Sequence, residues 1–66
     1  MNTISESAKD RIIREAKREL GRDKGIVRTE EEIDRYFLGI KRALADFQYD
    51  KPDEIIAEIR KEVMRI

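Results

Sequence analysis

The 66-residue chain contains neither cysteine nor histidine. These two absences remove disulfide staples, zinc sites of the usual kind, thiol nucleophiles, haem ligation and the imidazole general base. They also leave no redox evidence on compartment, so a cytoplasmic location is the default expectation. A net charge is missing too: fifteen Lys and Arg balance fifteen Asp and Glu. The whole-chain balance therefore points to neither nucleic acid nor an acidic membrane surface. No apolar run exceeds a few residues, which predicts no membrane span and no secretory signal. The uncharged amides are one Asn and one Gln.

Charged residues make up 45% of the chain and hydrophobic residues 39%, with ten Ile as the commonest apolar type. Abundant Glu, Lys and Arg with few thermolabile side chains is a heat-adapted pattern, although a small charge-rich helical protein from a mesophile has the same balance. The apolar residues are clustered, which argues against disorder. The length suits one small domain, 1–66. Such a chain buries only about 60% of the surface that its unfolded form exposes, and is marginal as a lone monomer.

The apolar spacing predicts three helices. Ala8, Ile12, Ala16 and Leu20 recur every four residues, with Ile13 widening the stripe, over a segment from Ser5 to Leu20 or as far as Lys24. Thr3, Ser5 and Ser7 all offer N-cap hydroxyls, and Thr3 with Glu6 has capping-box spacing. Two endings compete, Gly21 as C-cap glycine or continuation to Gly25 with Ile26 folding back near Leu20, and a frayed end between them is expected. Ile26 and Val27 are too few for a strand and are expected to plug one end of the core.

Thr29 and Glu32 form a second capping box, and Glu30, Glu31 and Glu32 suit the positive end of a helix dipole. Ile33, Phe37, Ile40, Leu44 and Phe47 then step by four, three, four and three, flanked by Tyr36 and Ala43. Gln48 to Lys51 break the pattern. Pro52 opens the third segment, with Asp50 as its expected cap. Its apolar seam reads Ile56, Ile59, Val63 and Ile66, with Ile55 alongside. The short connector makes the second and third helices antiparallel neighbours. Phe37, Ile40, Leu44, Ile59 and Val63 are the expected centre of the core.

Few residue patterns carry chemistry. Arg11, Arg14, Arg18 and Arg22 fall in one sector opposite the apolar stripe of the first helix. Residues 1–29 carry eight basic and five acidic side chains, a net of +3; the remainder carries seven and ten, a net of −3. Such asymmetry suits a nucleic-acid contact, whereas Asp10–Arg14 and Glu15–Arg18 pairing suits a solvated face. A helix-turn-helix reading of the second and third helices lacks a turn glycine and sets Asp53, Glu54 and Glu58 against phosphate. The acidic runs at Glu30–Glu32 with Asp34, and at Asp50, Asp53 and Glu54, sit at helix starts without an oxygen-ligand loop. Gly21 and Gly25 do not form a phosphate loop. Ser5, Ser7, Thr3 and Thr29 have no base and have capping roles. The expectation is a non-enzymatic protein with no cofactor and no metal.

Apolar residues outside the seams are more informative. Leu38 lies opposite the second-helix seam, Ala57 and Met64 lie off the third, and Tyr49 sits in the connector. Several such residues over a thin core predict a second buried surface, formed with another copy or with another protein. The sequence thus predicts an all-α fold: a small three-helix bundle, or a helical hairpin with a docked N-terminal helix, in dimeric form. The expected function is protein–protein interaction or regulation through Leu38, Tyr49 and Met64. The alternative is nucleic-acid binding through the Arg stripe.

Overall fold

The computed structural model describes residues 2–65. They form α1 (Glu6–Glu19), a short 3-10 turn (Arg22–Lys24), α2 (Glu30–Asp46) and α3 (Pro52–Met64). The fold is all-α, with three helices packing together. Among the described residues the only β-type pairing is an isolated bridge between Asn2 and Tyr49.

Each helix starts where a local donor problem is solved. Ser5 caps α1, its hydroxyl accepting from the Ala8 N–H at 3.1 Å, so the cap falls on the second of the three candidate hydroxyls. Thr29 caps α2 by accepting from the Glu32 N–H at 3.2 Å. The box closes differently from the standard form, because the Glu32 carboxylate accepts from the Thr29 hydroxyl at 3.0 Å. At α3 the expected Asp50 cap is not used. Lys51 is the N-cap residue, in the left-handed region at φ 52°, with no side-chain cap bond. Pro52 then supplies a first-turn residue that needs no N–H partner. The Asp50 N–H is committed elsewhere, donating to the Asn2 carbonyl at 2.8 Å.

The helix ends are equally specific. α1 stops at Leu20, and Gly21 takes φ 69°, which selects the earlier of the two endings. Gly25, at φ 73°, closes the 3-10 turn instead of the helix. The Ile26 N–H donates to the Gly21 carbonyl at 2.9 Å, drawing Ile26 onto Gly21. α2 ends in a Schellman arrangement: Gln48 N–H donates to the Ala45 carbonyl at 2.9 Å and Tyr49 N–H to the Leu44 carbonyl at 3.1 Å. Gln48 occupies the left-handed position, φ 60°, where glycine is usual.

α3 is the centre of the fold. α1 and α2 each pack on it and barely meet each other. The buried residues are Ala16 and Leu20 from α1 and its cap, Ile33, Phe37 and Leu44 from α2, and Ile55, Ile59 and Val63 from α3. No polar or charged side chain is buried among the described residues. The α3 seam is therefore Ile55–Ile59–Val63, rotated from the expected line. Ile56 is half-buried on its flank, because a helix touched from both sides centres its apolar face on Ile59. Ile66, expected in that seam, lies outside the described residues.

Ion pairs follow the same plan. Lys9 of α1 reaches Glu58 of α3 at 3.1 Å, Lys41 of α2 reaches Asp53 at 2.6 Å, and Arg60 of α3 reaches Asp34 at 2.7 Å and Glu30 at 3.4 Å. Arg60 also lies over the Phe37 ring, 5.6 Å from its centroid. The acidic residues at the helix starts thus serve as partners for cations on neighbouring elements. Among the described residues, no ion pair ties α1 to α2.

Three expectations fail here. Ile40 is half-buried, not central; Phe47 is 69% exposed; and Ile26 at 43% and Val27 at 91% are both exposed and do not plug the core. The first two share a cause, the gap between α1 and α2. Val27 lies beyond the Ile26–Gly21 contact, at the edge of a shallow recess shared with Leu20 and Ile33.

Candidate functional site

The helix period explains the gap. Ile33, Phe37 and Leu44 point to α3. Tyr36, Ile40, Ala43 and Phe47 form a second apolar line, turned by about 60° at 100° per residue. On α1, Ala8 and Ile12 are turned away from Ala16 and Leu20 in the matching sense. Because α1 and α2 do not close on each other, these two lines become the walls of an open groove of about 330 Å³. Leu44 and Tyr49 also line it, held in register by the Schellman bond between them. Arg11 and Glu15 stand on its α1 rim.

Two aromatic contacts shape the groove. Tyr36 meets Phe37 edge-on at 5.6 Å, and Phe47 leans on Tyr49 at 6.4 Å between centroids. Partial burial raises the Tyr36 phenol above its usual 10.0, with Glu19 and Glu15 across the gap adding to the effect and Arg18 opposing it. Nothing in the groove supplies a nucleophile with an adjacent base, so its chemistry is that of an apolar recess with a charged rim.

The three residues expected to form a partner surface are not brought together. Tyr49 lies in the groove. Leu38, 45% exposed, is on the far side of α2 from Phe47. Met64 is half-buried at the other end of the molecule, in a separate recess of about 200 Å³ with Leu20, Ile26, Val27 and Ile33. Spacing assigns Ile40 and Phe47 to the α2 seam, with Tyr36 and Ala43 flanking it. The signal that distinguishes them is the width of the α2 apolar face, which is too broad for one partner helix.

The Arg stripe is also divided. Arg11, Arg14 and Arg18 are exposed on α1. Arg18 pairs with Glu15, and Arg14, Glu15, Lys17, Arg18 and Asp23 border one shallow depression, so acidic groups interrupt the positive face. Arg22 leaves the stripe altogether. It belongs to the 3-10 turn, because Gly21 ends α1 before it. Its Nε donates to the Val63 carbonyl at 3.3 Å and its Nη2 to the Met64 carbonyl at 3.2 Å. Arg22 therefore caps the C-terminus of α3, satisfying carbonyls that the helix cannot.

Among the described residues, no group of three or more acidic side chains is placed to hold a metal ion, and no helix is long and apolar enough to cross a membrane. Comparison with protein families, curated proteins and solved structures finds no match.

Proposed function

We propose that this protein is a non-enzymatic helical interaction module, acting through the apolar groove between α1 and α2, and that the three-helix unit works as part of a protein assembly, with a dimer as the smallest form. The observation that carries this reading is Phe47: a large aromatic side chain, 69% exposed, beside an open apolar recess. Exposed apolar patches rimmed by polar groups are the usual mark of a contact surface. A catalytic reading has no activated group to build on.

The second reading, nucleic-acid binding through Arg11, Arg14 and Arg18, is weakened by Glu15 and Asp23 among them and by the diversion of Arg22 to α3. One experiment separates the two. Tagged protein is used to capture partners, this chain included, from native lysate with and without nuclease, read by mass spectrometry. The interaction reading expects nuclease-resistant capture that Phe47→Lys removes and Arg14→Gln with Arg18→Gln does not. Nuclease-sensitive capture removed only by the double Arg substitution reverses the assignment.

A further inference from the structure

The folded chain exposes 5168 Å². A compact monomer of 7.8 kDa is expected to expose about 4,400 Å². The surplus is about 800 Å², which is what one partner buries in a standard protein interface. The shape is correspondingly open. Three helices in a closed triangle measure about 14 Å across their Cα atoms in either direction, whereas this molecule measures 37 × 23 × 14 Å. The extra width accords with α1 and α2 splayed apart on α3, with the apolar groove between them.

Charge indicates what would cover it. α1 carries five basic and four acidic side chains, a net of +1, and α2 three basic and five acidic, a net of −2. A two-fold that lays α1 of each copy across α2 of the other sets unlike charge against unlike charge twice. Gly39 adds a third observation. It lies mid-helix in α2 beside the groove, where glycine costs about 1 kcal/mol relative to alanine, and a Cβ there would meet nothing within 4 Å. No contact inside the monomer explains the missing side chain, whereas close approach of a second backbone would.

We infer that the occupant of the groove is a second copy of this chain, in an isologous dimer in which Phe47 of each copy enters the groove of the other and the backbone at Gly39 is approached by the partner helix. The inference rests on the reading of the groove as a docking face. Sedimentation equilibrium on the full chain tests it. The wild type is expected to dimerise with a Kd at or below about 10 µM. Phe47→Lys and Gly39→Gln should each weaken association at least about tenfold, with the helical circular dichroism retained because both positions are exposed. Leu38→Asp, on the opposite face of α2, should leave the Kd within about twofold. A wild type that stays monomeric at about 200 µM overturns self-association. So does a dimer that Leu38→Asp dissociates and Phe47→Lys does not. If the wild type is monomeric yet Phe47→Lys still removes nuclease-resistant capture of another protein, only the identity of the occupant fails. If Phe47→Lys alters neither property, the docking face fails with it.

Discussion

Replacing Gly21 by alanine tests the turn that ends α1. Two costs apply. Gly21 has φ 69°, a left-handed conformation that costs a residue with a Cβ roughly 1–2 kcal/mol. The new Cβ would also lie 2.7 Å from the Ile26 Cβ and 2.8 Å from its Cδ1. Rotation of Ile26 could move Cδ1 but not Cβ, which is fixed to the backbone. That backbone is itself held by the 2.9 Å bond from the Ile26 N–H to the Gly21 carbonyl. Relief therefore requires moving the chain, and forced overpacking of this kind costs about 1–3 kcal/mol. The stiffer unfolded chain returns about 0.4–1 kcal/mol. The net expectation is a loss of about 2–4 kcal/mol.

Gly25 is the internal control. It has nearly the same φ, 73°, but nothing lies within 4 Å of its Cβ position. Gly25→Ala should lose only about 1 kcal/mol, the left-handed cost less the unfolded-state return. Thermal melts followed by circular dichroism resolve the difference, since 1 kcal/mol moves Tm by about 4–8 °C in a domain of this size. Equal shifts for the two variants would refute the contact between Ile26 and Gly21, and with it the account of how this connector is folded.

Leu44→Ala removes a side chain that is 3% exposed, and should cost about 2–5 kcal/mol in chemical denaturation, close to the whole stability of such a domain; a midpoint near that of the wild type would show the seam to be misassigned. Arg22→Gln should cost about 1–2 kcal/mol by freeing the Val63 and Met64 carbonyls, and Arg14→Gln no more than about 0.5, so equal denaturation midpoints would remove the capping role of Arg22. Lys9, hydrogen-bonded by Glu6 and Glu58, and Tyr36, partly buried, both hold their protons more tightly when folded. Their contribution to stability is complete below about pH 10 and is lost as pH rises through the raised values, so alkaline melts should decline, and Tyr36→Phe should decline less. In a Tyr49→Phe background, where Tyr36 is the only tyrosine, spectrophotometric titration should give a midpoint above 10.0, and one below it would contradict the burial of the phenol.

The helices were legible because their signals are local. Thr29 and Glu32 lie within one turn, as do Pro52 and the first residues of α3, and a four-residue apolar step needs no tertiary knowledge. What escaped was the assignment of each apolar residue to a neighbour. Phe37 and Phe47 stand in the same heptad-like series, yet one is 2% exposed and the other 69%. The period places both near one face of α2 but does not say that α1 stops short of the Phe47 side. Arg22 was misread for a related reason. Projecting it on the α1 wheel assumes that the helix continues, and the left-handed Gly21 turns the chain so that the guanidinium reaches the end of α3. The loop cap failed differently: Asp50 has the right chemistry, but the N-cap position falls one residue later, on Lys51.

The position of α3 links these departures. A helix that receives neighbours on both sides must carry its apolar residues in a centred stripe, as Ile55, Ile59 and Val63 do. Its neighbours are then held by α3 and not by each other. The cross-element ion pairs are mostly solvent-exposed and contribute little to holding α1 and α2 in place, since exposed pairs are commonly worth no more than about 1 kcal/mol. Packing against α3 sets their positions, and the small Ala16, fully buried, lets α1 approach α3 closely. Nothing comparable draws α1 towards α2, where Ile12, Tyr36 and Ile40 are only half-buried and Phe47 is exposed. The groove is therefore a consequence of building three helices around the last one, and the residues left in it are those on which an association surface would be built.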